Sequence, residues 1–201
     1  MSYDQIVSDD QLEATVKSLN ANGFEAVVVA TAEEAKNAVL KTIPTGSEVF
    51  TATSVTLGET GLDIALNEQP YESVRAKFMP LYGQADKAVE MRRIGSAADY
   101  SVGSAAAVTE DGKILVASRT GSQLPNEVYG ATHVIFVVGA NKIVKDMAEG
   151  IKRIEDHVVP QEDLRAQEAY GVGTSFNKLL VFNKEDPGRV KVFIVKEKLG
   201  F

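Results

Sequence analysis

F-E-A-V-V-V-A-T-A-E-E-A-K-N-A-V-L-K-T-I-P-T-G-S-E-V-F-T, residues Phe24 to Thr51, is the segment that decides the fold. Its first part, Phe24–Ala30, is apolar except for Glu25 and rich in valine, with almost no alternation, which is typical of a strand covered on both faces. Thr31 and Glu34 then have the spacing of a helix capping box, and a second apolar strand follows the helix. Because a strand, a helix and a strand in this order form a right-handed crossover unit, the segment predicts a parallel sheet in which the first strand is central.

The α/β alternation continues on both sides of this unit. Helical spacing predicts a helix over about Asp9–Asn22, and V-I-F-V-V at Val134 predicts another buried strand followed by a helix from about Ile143 to His157. Near the C-terminus, Lys178–Phe182 and Val190–Val195 have the composition of strands.

A hairpin interrupts the alternation in the middle of the chain. Asp111 and Gly112 form a favoured hairpin dipeptide between the predicted strands Ser104–Thr109 and Lys113–Ser118. The sequence therefore predicts one domain over residues 1–201, of class α/β, with three layers: a mostly parallel sheet flanked by helices, together with one antiparallel hairpin.

Composition excludes several classes of protein. The 201 residues carry a formal charge of −7 without a basic stripe, which argues against a nucleic-acid partner. The longest apolar runs are far shorter than the roughly 20 residues that cross a bilayer, so no membrane anchor is expected. The acidic N-terminus lacks the pattern of an export signal, which predicts a cytoplasmic protein. Because the chain has no cysteine, it offers no thiolate to hold an iron–sulfur cluster.

A loop rich in hydroxyl groups follows the second strand and leads into a helix predicted near Leu57–Glu68. Thr53, Ser54 and Thr56 lie in this loop. Free N–H groups at the start of a helix attract anions, and hydroxyls add hydrogen-bond donors, so the three residues are candidate ligand contacts. Simple helix capping explains the same residues, and both interpretations stay open.

Two further segments provide candidate contacts for an anion. The loop after Ser118 contains Arg119, Thr120, Gly121 and Ser122; arginine suits a carboxylate or a phosphate, and glycine lets the backbone approach a ligand. Lys142 follows the strand at Val134 and could reach the same crevice at the strand ends. An exposed loop and a solvated lysine are the structural alternatives.

Glu110 is the candidate catalytic residue, because a carboxylate in the hairpin turn can act as a nucleophile or a general acid/base. An exposed acidic turn residue is the common alternative. His133 and His157 lie far apart in sequence, and no acidic metal-binding pattern surrounds them, so no metal site is predicted.

Several motifs together resemble the LUD-domain family, and within it the lactate-utilisation protein C group. They run in order along most of the chain: S-V-T-L-G-E-T-G at Ser54, A-D-Y-S-V-G-S-A-A-A-V-T-E-D-G-K-I-L-V-A-S at Ala98, G-S-Q-L-P at Gly121, H-V-I-F-V-V-G-A-N-K-I-V-K-D-M at His133 and P-G-R-V-K-V-F-I-V-K-E-K-L-G-F at Pro187. The resemblance implies the NagB/RpiA/CoA transferase-like fold, which is a mostly parallel sheet between helices. It also implies that T-E-D-G at Thr109 is similar to the turn that carries the catalytic glutamate of CoA transferases.

Three functions remain open at this stage. The resemblance implies a subunit or accessory protein in the oxidation of lactate to pyruvate, working with iron–sulfur partner proteins and binding a small anionic metabolite or cofactor. The first alternative is an independent sugar-phosphate isomerase or CoA transferase-like enzyme that uses Glu110. The second is a non-catalytic metabolite-binding module. The cofactor is unknown, and a homo-oligomer is compatible with each function.

Overall fold

The computed structural model describes residues 3–201 of the chain. The helices are α1 (Asp9–Ala21), α2 (Ala32–Thr42), α3 (Val55–Thr60), α4 (Leu62–Ala65), α5 (Val74–Phe78), α6 (Ala88–Ile94), α7 (Met147–Arg153) and α8 (Val159–Tyr170). The strands are β1 (Glu25–Val29), β2 (Glu48–Thr51), β3 (Glu72–Ser73), β4 (Tyr100–Gly103), β5 (Ala107–Thr109), β6 (Ile114–Ser118), β7 (His133–Gly139), β8 (Ile143–Val144), β9 (Lys178–Phe182) and β10 (Val190–Val195). Two π-helical turns cover Asn126–Gly130 and Ile154–Val158.

Six parallel strands form the central sheet, in the order β1-β10-β7-β4-β2-β3. This arrangement confirms the predicted α/β class with a mostly parallel sheet. The prediction that the first strand is central was wrong, because β1 pairs only with β10 in the described sheet and forms its edge. Val27 and Val28 are accordingly 42% and 37% exposed.

Two hydrophobic cores lie on opposite faces of the central sheet. On one face, Leu12 and Leu19 of α1 pack against Phe136 of β7. On the other face, α2 and α3 pack against the alternate residues of the strands, such as Val137, which follows Phe136 in β7. Because successive side chains of a strand point to opposite faces, β7 contributes to both cores and is buried along almost its whole length.

The predicted hairpin belongs to a second sheet, in the order β8-β5-β6-β9. Its antiparallel β5–β6 pairing was predicted correctly. The predicted strand Ser104–Thr109 begins only at Ala107, because residues 104–106 form the crossing from β4 in the central sheet to β5 in the second sheet. Both tail strands, Lys178–Phe182 and Val190–Val195, also have the predicted bounds, but β9 joins the second sheet and β10 the central one.

Two predicted helices begin or break at other residues. The helix expected over Leu57–Glu68 is divided into α3 and α4 at Gly61, which has a φ of 68°. The helix expected from Ile143 starts only at Met147, because Ile143 and Val144 pair with β5. Among the described residues, no helix has the length and apolar character needed to cross a membrane.

The carboxyl ends of the central strands bring distant segments together. The loop after β2 carries Thr53 and Ser54, the crossing after β4 begins at Ser104, and a short 3-10 turn after β7 contains Lys142. Ligands of open α/β sheets usually bind at this edge, which makes it the place to look for a site.

Candidate functional site

Lys142 is buried at the carboxyl edge of the central sheet, with 3% of its surface exposed. Its Nζ donates to Thr56 Oγ1 at 2.9 Å, to Ser104 Oγ at 3.2 Å and to the carbonyl oxygen of Ala105 at 3.3 Å. These three oxygens are uncharged. The side chain of Lys142 therefore joins the ends of β2, β4 and β7 through one ammonium group.

Burial lowers the pKa of Lys142 from its ordinary value of 10.5 to about 7. The nearby positive charge of Arg153 lowers this pKa further, and the carboxylate of Glu59 opposes the shift. A lysine with such a pKa holds or releases a proton near neutral pH. Perturbed groups of this kind are typical of functional sites, although structural networks produce them too.

The segment after β10 lies directly on Lys142. The hydroxyl of Thr56 donates to the carbonyl oxygen of Leu199 at 3.3 Å, and the N–H of Gly200 donates to Glu59 Oε2 at 2.6 Å. Gly200 has a φ of +60°, and a Cβ added there would lie 2.6 Å from Thr56 Oγ1 and 3.1 Å from Lys142 Nζ. Only a glycine backbone fits this close to both groups.

The structure brings two of the predicted ligand contacts, Thr56 and Lys142, into direct contact. Ser54 lies two residues before Thr56, at the start of α3, and its hydroxyl makes no capping bond within residues 3–201. Thr53 is exposed, and its hydroxyl accepts a hydrogen bond from Arg75 Nη1 at 3.1 Å.

The predicted loop Arg119–Ser122 is bonded to the second sheet and to itself. Arg119 Nη1 donates to the carbonyl oxygen of Gly173 at 2.6 Å, and the hydroxyls of Thr120 and Ser122 bond to each other at 3.2 Å. Gly121 has a φ of +82°, and a Cβ there would lie 2.9 Å from the side chain of Lys178. These contacts are separate from those of Lys142, and ligand binding by this loop stays a prediction.

Glu110 lies in the turn after β5 and contacts α1. Its Oε1 accepts from Gln11 Nε2 at 3.2 Å, and its N–H donates to the carbonyl oxygen of Val144 at 2.9 Å. In the parallel β5–β8 register Val108 is opposite Ile143, so Glu110 lies three residues beyond the level of Lys142, or roughly 10 Å along the strand. The structure does not bring Glu110 to Lys142, and its catalytic role stays a prediction.

Three functional candidates were missed by the sequence patterns. Ser104 was assigned to a strand, yet it lies at the crossing and contacts Lys142. Arg153 is completely buried, and its Nη1 donates to the carbonyl oxygen of Ala106 at 2.6 Å. Its partner is a backbone atom 47 residues away, so the sequence around Arg153 held no signal of this contact.

Glu127 is the third missed residue, and it is 1% exposed in the π-helical turn after Pro125. Neither carboxyl oxygen has a hydrogen-bond partner among the described residues. Burial raises the pKa of Glu127 to about 8, so the group is largely a neutral acid at pH 7. A Cβ added at Gly103 would lie 3.3 Å from Glu127 Oε1, so the carboxyl packs against β4 close to its end.

The two histidines lie apart in the fold. His133 stacks on Tyr100 with ring centroids 4.8 Å apart, and His157 lies beside Tyr3, with ring centroids 5.4 Å apart. Over the part of the chain that the structure describes, no group of three or more His, Asp or Glu side chains could hold a metal ion.

Comparisons with known proteins were made at the level of sequence, structure and family, and two of the three found a match. No curated protein matches the chain. The structure is similar to a crystal structure of a DUF162 family protein from Deinococcus radiodurans, with a TM-score of 0.60 and 14% identity over 97% of this chain and 99% of that one. At this identity the likeness shows the fold alone. The LUD domain family model matches residues 12–195, and the chain therefore belongs to the LUD-domain family.

Proposed function

We propose that this LUD-domain protein is a subunit or accessory protein in the oxidation of lactate to pyruvate, and that it binds a small anionic metabolite at Lys142. The observation that carries the proposal is the ammonium group of Lys142, buried at the carboxyl edge of the sheet with uncharged oxygens as its partners. Family membership supports the link to lactate.

Lactate and pyruvate each carry one carboxylate, which suits this group of donors. A carboxylate next to Lys142 would accept from its ammonium group, and the hydroxyls of Thr56 and Ser104 could then rotate to donate to the same anion. The added negative charge favours the protonated lysine. Above pH 7, binding of the anion therefore takes up a proton at Lys142 Nζ.

The segment Leu199–Gly200 has to move before a metabolite reaches Lys142. Leu199 and Gly200 are buried, so this movement breaks their hydrogen bonds to Thr56 and Glu59, but a local opening costs less than global unfolding. When the anion is bound, the same segment can return and exclude water from the site.

The electrons of lactate would be carried by the iron–sulfur partner proteins, since this chain has no cysteine to hold a cluster. The purified chain should then give no lactate-dependent reduction of an electron-accepting dye, and activity should appear only when iron–sulfur proteins are added. Lactate oxidation by the purified chain alone would contradict the role of a subunit.

A thermal-shift experiment tests binding at Lys142. Millimolar lactate or pyruvate should raise the melting temperature of the wild type, because a ligand bound by the folded state alone stabilises it. Lys142→Met should abolish the shift. Lys145→Met is the matched control, because Lys145 is an exposed lysine three residues later and should leave the shift intact. An undiminished shift in the Lys142→Met variant would contradict the proposed site.

A further inference from the structure

A second group of basic side chains lies beside the Lys142 site, and we call Arg153, His157 and Lys198 the Arg153 cluster. Arg153 donates to the carbonyl oxygen of Ala106, next to the carbonyl of Ala105 that accepts from Lys142. The side chain of His157 is 15% exposed and that of Lys198 is 50% exposed. The cluster thus runs from a fully buried guanidinium to the protein surface.

Within residues 3–201, no carboxylate forms a hydrogen bond with the buried guanidinium of Arg153. Nη1 has its carbonyl partner, but Nε and Nη2 are buried without any partner in residues 3–201. The pKa of Arg153 falls only to about 10, so the group stays charged at neutral pH. A buried charge with unused donors is costly unless an anion pairs with it.

The segment before α1 places a carboxylate at the outer end of the cluster. Asp4 Oδ1 lies 2.7 Å from Lys198 Nζ and 3.8 Å from His157 Nε2. Lys198, His157 and Arg153 all lower the pKa of Asp4. Tyr3 covers the inner end of the cluster: the centroid of its ring lies 5.7 Å from the guanidinium carbon of Arg153. The hydroxyl of Tyr3 donates to Glu149 Oε1 at 2.6 Å.

We infer that the Arg153 cluster is a binding site for the phosphoryl group of a phosphorylated metabolite, and that Asp4 occupies it when no ligand is bound. One carboxylate reaches only Lys198 and His157, whereas a phosphoryl group has three oxygens for the donors of all three side chains, and about two negative charges for Arg153 and Lys198. Burial and the charge of Arg153 lower the pKa of His157, so its ring takes part as a neutral N–H donor. The free Nε and Nη2 of Arg153 belong to the planar fork that binds phosphate in a bidentate manner. Binding displaces Tyr3 and Asp4 from the cluster.

This site goes beyond the proposed function and does not depend on it. Lactate and pyruvate have no phosphoryl group, and Lys142 is not a member of the cluster. Failure of one proposal therefore leaves the other standing, and separate variants distinguish the two.

Calorimetric titration with inorganic phosphate tests the inference. Asp4→Asn removes the competing carboxylate and should strengthen phosphate binding at least several-fold. Asp9→Asn is the matched control, since Asp9 also pairs with a lysine near the C-terminus, Lys196 at 2.6 Å, but does not contact the cluster. Its affinity should equal that of the wild type. Equal affinities in the Asp4→Asn variant and the wild type would overturn the inference.

The double variant His157→Gln with Lys198→Gln should weaken phosphate binding at least tenfold in a protein whose circular dichroism is unchanged. Its two positions are at or near the surface, so folding is expected to survive. Lys142→Met should still bind phosphate. Acetate is the control ligand: binding of acetate as tight as that of phosphate would overturn the assignment to a phosphoryl group, and binding of neither would overturn the site.

Discussion

At the scale of single residues, this protein buries ionisable side chains that are poorly matched by opposite charge. Lys142 contacts uncharged oxygens, Arg153 uses one of its donors on a carbonyl, and Glu127 has both oxygens unpaired among the described residues. Each group costs stability in the folded state, because burial disfavours the charged form. Such costs are expected where a site is prepared for a ligand.

The pH dependence of stability tests the state of Lys142. Its folded pKa of about 7 lies below the ordinary value of 10.5, so between these values the unfolded chain binds more protons than the folded one. The contribution of Lys142 to stability therefore rises as pH increases from 7 towards 10, by up to about 1.4 kcal/mol per unit. In denaturant unfolding, the free energy of unfolding of the wild type should therefore rise relative to that of Lys142→Met between pH 6 and pH 9. Parallel pH profiles would contradict a pKa near 7.

The contribution of Glu127 to stability changes with pH in the opposite direction. Its folded pKa of about 8 lies above the ordinary 4.5, so the unfolded chain releases this proton first and stability is lost as pH rises from 4.5 through 8. Glu127→Gln keeps the shape of the neutral acid and should be more stable than the wild type at pH 8, with little difference at pH 4.5. Glu68 is exposed, so Glu68→Gln is the control and should leave the free energy of unfolding unchanged at both pH values. An equal difference at both pH values would show that Glu127 titrates normally.

At the scale of elements, the segment that follows β10 covers Lys142, and it is the part that we propose opens for a ligand. Leu199 and Gly200 bond to two elements: to Asn141 in the 3-10 turn after β7, and to Thr56 and Glu59 in α3. The same segment is linked to the N-terminal part of the chain through Lys198–Asp4 and Lys196–Asp9. These exposed ion pairs are weak and screened by salt, so they add little to the contacts that Leu199 and Gly200 make.

A methyl group at Gly200 should loosen this cover. The Cβ of Gly200→Ala would lie 2.6 Å from Thr56 Oγ1, so the segment has to shift away from Lys142. Hydrogen exchange at the amide of Leu199, which donates to Asn141 Oδ1 at 3.2 Å, should speed up at least tenfold. Gly171→Ala carries a similar backbone strain, with a φ of +69°, but no described atom lies within 4 Å of its Cβ. Exchange of the Leu199 amide as slow in Gly200→Ala as in Gly171→Ala would contradict the contact.

Local sequence patterns predicted the bounds of several strands well, but they predicted less well which strand pairs with which. The bounds of β9 and β10 and the β5–β6 turn follow from short apolar runs and an Asp-Gly pair, which are signals within a few residues. The position of β1 at the edge was missed because its partner β10 arrives about 165 residues later. The partners of Arg153 and the burial of Glu127 were missed for the same reason: the groups around them come from distant segments.

At the scale of the whole molecule, the parallel topology assembles the candidate site. Thr56, Ser104, Lys142 and Gly200 follow four different strands of one sheet, and each lies at the carboxyl edge because every strand points the same way. Thr56 and Lys142 were predicted from their places after strands, which is the part of a site that topology makes predictable. The hairpin turn with Glu110 instead lies beyond this edge, against α1.

This separation predicts that Glu110→Gln leaves the binding of lactate and pyruvate unchanged within a factor of two, because a change at the hairpin turn does not alter the partners of Lys142. Thermal-shift titrations of the folded variant measure this directly. Loss of binding in Glu110→Gln, or a catalysed reaction of an acyl-CoA or a sugar phosphate that this change abolishes, would favour the independent enzyme over the subunit.

Calorimetric titration of pyruvate at pH 8, in buffers with different ionisation enthalpies, tests the role of Lys142 most directly. Because a bound carboxylate favours the protonated lysine, the wild type and Lys145→Met should each take up close to one proton per bound pyruvate. Lys142→Met should lose most of its affinity. Binding of equal affinity in Lys142→Met, or binding to the wild type without proton uptake, would contradict the anion site at Lys142.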